Sequence, residues 1–218
     1  DCVTFFQENL QMDLRFNILN EVIDKFIVCE SKYDHRGREK KINFSKEKYP
    51  LISSKIEHVI IESKFPKKNT PWQNQSLQRE YIFEGITGAS NNDLIMFSDP
   101  DEIPNPEKLK DLNMKKKFGI FIQNMYTYKL NLFNKYESPW EGTRICKKRD
   151  LKSIDWLRNK ILYKNLKYGF WRLDKEKNIQ IIKDGGWHFN YLLKPKEISK
   201  KFKSLAETSW DKEEYFNE

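Results

Sequence analysis

Residues 93–104 read DLIMFSDPDEIP, an apolar run that ends in three carboxylates, Asp99, Asp101 and Glu102. The run at 94–98 has the length and composition of a buried strand. Carboxylates this close repel one another, and a divalent cation relieves the repulsion because Mg²⁺ and Mn²⁺ prefer oxygen ligands. In an open α/β sheet, ligands bind beyond the carboxyl ends of the strands. The stretch therefore predicts a strand that delivers Asp99 and Asp101 to a metal site suited to a diphosphate.

The same stretch also fits a solvated turn. Asp-Pro steps favour turns, and Asn105 followed by Pro106 is typical of the start of a helix. On this interpretation Asp99 and Asp101 are turn residues that face water. The rest of the chain has to decide between the two interpretations.

Length and composition limit the class of protein. The chain has 218 residues, of which 38% are hydrophobic and 14% aromatic, enough for one α/β domain with its own core. No apolar run reaches the roughly 20 residues of a membrane span, so no integral membrane segment is expected. The net charge of +8 comes from scattered lysines without interleaved aromatics. That pattern fits a solvated surface by default, and its functional alternative is an attraction to phosphates, with a nucleotide favoured over nucleic acid.

Strand-like runs alternate with amphipathic segments along the chain. This alternation predicts an α/β fold with a mostly parallel central sheet flanked by helices. We expect a single domain over 1–218, with a nucleotide half at about 1–130 and a substrate half at about 131–218. Thr70 is the predicted cap of a helix that begins at Pro71. The predicted strands are Val3–Phe6, Lys25–Cys29, His58–Ile61, Leu94–Ser98, Gly119–Leu130 and Asn178–Lys183, and the predicted helices are Gln11–Val22, Gln73–Ile86, Asn105–Leu112 and Ile154–Lys167.

Three further residues have the chemistry of a diphosphate site. His188 follows Gly185-Gly186-Trp187, where it could offer a ring nitrogen to a metal or be a buried histidine after a turn. Arg79, on the helix before the carboxylate strand, could grip a diphosphate or form a surface ion pair. Glu30 ends an apolar strand, where it could contact a ribose or base or belong to a turn.

The three cysteines, Cys2, Cys29 and Cys146, form no C-x-x-C pair. Buried free thiols are therefore expected, which fits a reducing compartment. Together with a Lys- and Asn-rich composition, this predicts a cytoplasmic protein of bacterial or viral origin.

Taken in order, these residues resemble glycosyltransferase family 17. The resemblance rests on the blocks Asp13–Phe16, Val22–Ser31, Pro71-Trp72 with Gln78-Arg79, Asp93–Pro104 and Gly185–Phe189, and it spans about residues 3–215. It is closer to short microbial and viral-type members, and residues 131–184 match least well.

The resemblance implies a GT-A-like nucleotide-sugar-binding fold and an inverting, metal-dependent transfer of a sugar from a UDP-sugar, UDP-GlcNAc first, to a glycan hydroxyl. Mn²⁺ or Mg²⁺ is the implied cofactor. Asp99, Asp101 and His188 would hold the metal. Glu30 and Arg79, together with Asp99 and Asp101, would contact the donor.

The remaining roles concern the acceptor. Inversion needs a general base near the attacking hydroxyl, and Glu102 and Asp184 are the two candidates, between which the sequence does not choose. Trp140 and Trp187 are the predicted acceptor platforms, because the apolar faces of sugars pack on aromatic rings.

Two other functions remain open at this point. Clustered carboxylates with a histidine would also suit a metal-dependent phosphodiesterase or nuclease. An inactive carbohydrate- or nucleotide-binding domain would retain the fold without turnover.

Overall fold

A central sheet of nine strands organises residues 1–204 and 206, which the computed structural model describes. The strands are β1 (Cys2–Phe5), β2 (Phe26–Ser31), β3 (Ile56–Ile61), β4 (Leu94–Ser98), β5 (Glu102–Pro104), β6 (Phe118–Thr127), β7 (Trp140–Lys147), β8 (Ile179–Ile182) and β9 (Gly186–Asn190). Their order is β3-β2-β1-β4-β7-β6-β9-β5, with β8 paired to β6.

The sheet has a parallel part and a mixed part. Strands β3, β2, β1 and β4 are parallel. Strand β7 runs antiparallel between β4 and β6, and β6 pairs in parallel with β8 along one half and with β9 along the other. The predicted α/β class with a central sheet is confirmed, and the parallel character is concentrated in β1 to β4.

Six α-helices accompany the sheet in the described part of the chain. They are α1 (Asn9–Leu19), α2 (Pro71–Glu80), α3 (Ile82–Gly85), α4 (Pro106–Lys110), α5 (Ile154–Lys160) and α6 (Pro195–Ser204). Among these helices, none has the length and apolarity that a membrane span needs.

Local capping fixes where two of the important helices begin. The Thr70 hydroxyl accepts from the Gln73 N–H, and the Gln73 side chain accepts from the Thr70 N–H, so the predicted cap of α2 is confirmed. The Ser153 hydroxyl accepts from the Trp156 N–H and starts α5.

Alternating strand residues supply two apolar layers, one on each face of the sheet. Ile27 and Cys29 of β2 pack in the layer that also holds Ile82 of α3 and Leu157 of α5. Phe26 and Val28 of the same strand pack in the layer beneath α1. The three cysteines are free and buried, as predicted.

The sequence patterns missed three strands, β5, β7 and β9. Gly186 in β9 has φ 121°, and a Cβ there would clash with the backbone carbonyl of Ile103 in β5. The sequence pattern suggested a turn at Gly186, but in the structure this glycine lets β9 pair closely with β5. In that pairing His188 lies opposite Glu102.

The predicted division near residue 130 falls between β6 and β7, which pair with each other, so both halves share one sheet. Residues 205 and 207–218 of the predicted substrate half lie outside the described residues. The separate roles of the two halves stay predictions.

Candidate active site

The carboxylates predicted from residues 93–104 lie in a tight turn between β4 and β5. The Glu102 N–H donates to the Asp99 carbonyl at 3.0 Å, and the Asp99 N–H donates to Glu102 Oε2 at 3.1 Å. The buried guanidinium of Arg15 donates to the carbonyls of Asp99 and Glu102 from below. Backbone and side chain therefore hold the turn in one shape at the carboxyl end of β4.

Asp99 is neutralised by two arginines. Its Oδ2 accepts from Arg158 Nη2 at 2.7 Å and Nε at 3.0 Å, and its Oδ1 accepts from Arg79 Nη2 at 3.3 Å. Burial would raise the pKa of Asp99, but the two guanidinium groups outweigh burial and hold the pKa below its usual range. Asp99 is thus an anion whose two oxygens are already engaged.

Glu102 is fully buried and also engaged. Its Oε1 accepts from Trp140 Nε1 at 2.7 Å and from Arg158 Nη2 at 2.8 Å. With the N–H of Asp99 on Oε2, three of about four acceptor positions of the carboxylate are filled. Glu102 therefore orients Arg158 and Trp140 against the turn.

Asp101 forms a second group with His188. His188 Nε2 lies 3.4 Å from Asp101 Oδ1, and the ring of His188 lies 4.8 Å from that of Trp140, centroid to centroid. Lys201 of α6 places Nζ 3.5 Å from Asp101 Oδ2 and 3.0 Å from Glu8 Oε1. Two cationic side chains therefore flank the Asp101 carboxylate.

In this second group, each charged side chain stabilises the opposite charge of its neighbour. Burial would raise the pKa of Asp101, but His188 and Lys201 hold it far below its ordinary value. Burial would lower the pKa of His188, but the Asp101 carboxylate outweighs that effect and raises it. The carboxylate of Asp101 and the imidazolium form of His188 therefore stabilise each other.

A cavity of about 230 Å³ lies where β1, β2 and β4 end, and we call it the strand-edge cavity. Asp99, Asp101, His188 and Lys201 line one side, and Tyr33 and Gln78 line the other. Carboxyl ends of parallel strands are the usual binding position in α/β sheets.

A wider groove of about 850 Å³ lies between α2, α5 and the start of β7, and we call it the helix groove. Trp72, Arg79, Trp140, Asp155 and Arg158 are among its walls. Asp99 and Gln75 line both the groove and the strand-edge cavity, so the two spaces adjoin.

The structure brings most of the predicted site residues together. Asp99, Asp101, Glu102, Arg79, Trp140 and His188 all belong to the two linked groups around the turn. Arg79 also bonds Asp155 at 2.9 Å, so its guanidinium bridges α5 and the turn.

Three predicted residues lie elsewhere. Glu30 is fully buried, and its carboxylate accepts from Lys40 and from the N–H groups of Asn43 and Phe44. Asp184 is exposed in the turn that precedes β9. Asp101, the partner of His188, lies near the opposite end of that strand. Trp187 packs against the apolar layer beneath α1. The roles predicted for these residues stay predictions.

Sequence reasoning missed Arg158 and Lys201. Arg158 follows Asp155 by three positions on a helix that Ser153 caps, but the sequence around it matches the family blocks least well. Lys201 is one of many lysines in the chain. Only the folded chain distinguishes these two cations from the others.

The donor set for a metal is smaller than the sequence predicts. In residues 1–204 and 206, no group of three or more His, Cys, Asp and Glu side chains forms a metal cage. Asp101 and His188 fit a divalent cation as a two-residue set, because Mg²⁺-like ions often take only one or two protein ligands beside phosphates and water. Asp99, the third predicted ligand, bonds Arg79 and Arg158 through its two oxygens, and its role as a metal ligand stays a prediction.

The amino-acid sequence of the chain matches the model of a known protein family. The model of the family described as glycosyltransferase family 17 matches residues 1–215. No curated protein matches the chain.

Solved structures give a weak likeness of fold. S. aureus TarS 1–349 is 10% identical, with 87% of this chain and 59% of that chain covered and a TM-score of 0.41. Glucosyl-3-phosphoglycerate synthase from Mycobacterium tuberculosis, in complex with Mn²⁺, UDP and phosphoglyceric acid, is 12% identical, with coverages of 91% and 72% and a TM-score of 0.43. A glycosyltransferase involved in glycosylation of the PBCV-1 major capsid is 11% identical, with coverages of 84% and 82% and a TM-score of 0.36. The chain thus spans under two thirds of the TarS fragment.

Proposed function

Because this chain belongs to glycosyltransferase family 17, we propose that it transfers a sugar from a UDP-sugar to a glycan hydroxyl. One observation carries the proposal. Asp101 and His188 come from distant parts of the chain and lie 3.4 Å apart in the wall of a cavity at the carboxyl ends of β1, β2 and β4. UDP-GlcNAc is the first donor to test, since the family resemblance implies it.

The strand-edge cavity is the proposed donor site. Lys40 and Lys201 both line it, and their ammonium groups would attract a diphosphate. Lys40 pairs with the carboxylate of Glu30, and Lys201 pairs with the carboxylates of Asp101 and Glu8. These lysines would lower the energy of the charge that develops on the leaving UDP.

Asp101 and His188 are the proposed ligands of a Mn²⁺ or Mg²⁺ ion. Such an ion supplies Lewis-acid stabilisation of the leaving diphosphate. His188 has to lose its proton to serve as a ligand. Asp99 is proposed to act differently, by fixing Arg79 and Arg158 at the boundary between the cavity and the helix groove.

Inversion requires that the acceptor hydroxyl attack the anomeric carbon from the face opposite UDP, while a base takes the hydroxyl proton. Of the two predicted bases, Glu102 adjoins the site, whereas Asp184 is exposed in a turn. Because Glu102 lines neither the strand-edge cavity nor the helix groove, we propose that it is a positioning residue that orients Arg158 and Trp140.

Hydrolytic chemistry is the alternative that the sequence left open. The remaining histidines do not favour it: His35 bonds Gln78, and His58 lies against Glu30 and Phe44. A two-metal hydrolase needs further ligands at strand ends, and the described residues assemble no such group.

Thermal melting tests the proposal directly. Binding to the folded state raises the melting temperature, so Mn²⁺ with UDP-GlcNAc or another UDP-sugar should shift it, and either component alone should shift it less. Asp101→Asn should lose the shift. Asp174→Asn should keep it, because Asp174 is an exposed carboxylate that pairs with Arg172 outside both spaces.

Two results would contradict the proposal. One is the absence of a shift with any nucleotide sugar, tested with UDP-, GDP- and CMP-sugars. The other is Mn²⁺-dependent cleavage of bis-p-nitrophenyl phosphate that Asp101→Asn removes, since this would assign the site to a phosphodiesterase.

A further inference from the structure

We propose that the helix groove binds a neutral sugar ring of the acceptor, with Trp72 as its outer platform. This inference rests on the proposed function and deepens it, because it assigns the acceptor to a place and a chemistry. It also replaces one expectation: Trp187, a predicted acceptor platform, packs into the core, whereas Trp72 and Trp140 face the groove.

Trp72 is exposed on a capped stretch of backbone. Its residue is 54% exposed, although an indole gains much from burial. It sits in the first turn of α2, beside Pro71 and inside the reciprocal hydrogen bonds of Thr70 and Gln73. A large exposed aromatic at a groove wall, carried by a capped helix start, suits a stacking surface.

The charges around the groove favour a neutral ligand. Arg79 is paired with Asp99 and Asp155, Arg158 with Asp99 and Glu102. Since these guanidinium groups already have anionic partners, the groove offers little net charge to a phosphorylated ligand. It does offer both hydrogen-bond donors and acceptors, and each sugar hydroxyl can use both kinds.

The position of the groove suits transfer. Asp99 and Gln75 line both the groove and the strand-edge cavity, so a ring in the groove lies next to the proposed donor site. Trp140 joins the two spaces as well, because its ring packs on His188 while its indole N–H bonds Glu102.

Saturation-transfer-difference NMR tests the groove with simple probes, the methyl β-glycosides of glucose, galactose, mannose and N-acetylglucosamine, in the presence of Mn²⁺ and UDP. Wild type should transfer saturation to the ring protons of at least one glycoside. Trp72→Ala should lose at least about tenfold in affinity for it, the loss typical of an aromatic anchor, and Trp72→Phe should keep part. Trp171→Ala is the matched control, since Trp171 is 70% exposed and lines neither space.

The melting shift with Mn²⁺ and UDP is measured on the same samples and separates the two proposals. If wild type shows no such shift, the proposed function fails. If the shift is present in Trp72→Ala and glycoside binding is unchanged, the groove is not the acceptor site. A wild type that binds none of the four glycosides, or equal losses in Trp72→Ala and Trp171→Ala, would also overturn it. A loss of the UDP shift in Trp72→Ala would assign the groove to the donor instead.

Discussion

Glu30 and Asp101 are buried carboxylates at the same edge of one sheet, yet their surroundings differ. Glu30 is enclosed by residues 40–44, with Lys40 at 2.5 Å and the N–H groups of Asn43 and Phe44 at 2.8 and 3.0 Å. Asp101 faces a cavity and is flanked by the side chains of His188 and Lys201, which come from β9 and α6.

This difference distinguishes a carboxylate that stabilises the fold at a strand end from one that can bind a ligand there. A carboxylate whose oxygens accept backbone N–H groups stabilises a loop, because those donors would otherwise be unpaired. A carboxylate at a cavity wall whose cationic partners are side chains can exchange those partners for a ligand. We therefore expect substitutions at Glu30 to change stability and substitutions at Asp101 to change activity.

The largest expected effect is at Asp101. Asp101→Asn should lower transfer at least about 1,000-fold, because it removes the charge that binds the cation and balances His188. The melting temperature should change by only a few degrees, since Lys201 keeps Glu8 as a partner at 3.0 Å. Sugar transfer and melting are measured on one preparation. A protein that no longer folds would make Asp101 a structural residue like Glu30.

The next largest effect on transfer is expected at Glu102, and it is compared with the effect of substituting Asp184. Glu102→Gln should lower kcat about 100-fold, because Trp140 loses its anionic acceptor and Arg158 keeps only Asp99 of its two carboxylate partners, whereas Asp184→Asn should leave kcat within about twofold. Steady-state kinetics of both variants decide the order. A loss in Asp184→Asn that matches or exceeds the loss in Glu102→Gln would make Asp184 the base and would refute the positioning role.

A smaller effect is expected at Glu30. Glu30→Gln should lower the free energy of unfolding by about 2 kcal/mol, the cost of losing charge-assisted hydrogen bonds, which is roughly 4–8 °C in melting temperature. Transfer at a temperature where the variant is folded should change only a few-fold. Glu57→Gln is a suitable control, because the exposed pair of Glu57 with Lys25 should contribute little. If Glu30→Gln lost activity as severely as Asp101→Asn, the comparison would fail.

The smallest effect concerns pH. Burial would raise the pKa of Glu30, but the nearby His58, with Nε2 3.7 Å from Oε2, and the bonded Lys40 outweigh burial and lower the pKa from 4.5. A depressed pKa stabilises the fold above about pH 4.5, and this stability is lost as the pH falls through the folded-state value. The stability gap between wild type and Glu30→Gln should therefore narrow below pH 4.5 in denaturant titrations. A gap that stays constant down to pH 3 would show that the charge of Glu30 does not stabilise the fold.

Much of the parallel part of the sheet could be predicted because its signals are local. The apolar run before Asp99 and the cap at Thr70 depend on neighbours a few residues away, and the structure confirms both. β7 could not be predicted because its sequence, WEGTRICK, shows no clean apolar alternation, and β9 could not because the glycines before His188 equally fit a turn.

The candidate site divides in the same way. The sequence by itself determined which residues have the right chemistry: carboxylates after a buried strand, a histidine after two glycines and an arginine on the preceding helix. Folding of the chain then set the charged partners of each carboxylate. It closed residues 40–44 over Glu30, placed two arginines on Asp99 and left Asp101 beside His188. The physical reason is that chemistry belongs to the residue, whereas burial, charge balance and access depend on segments that meet only when the chain folds.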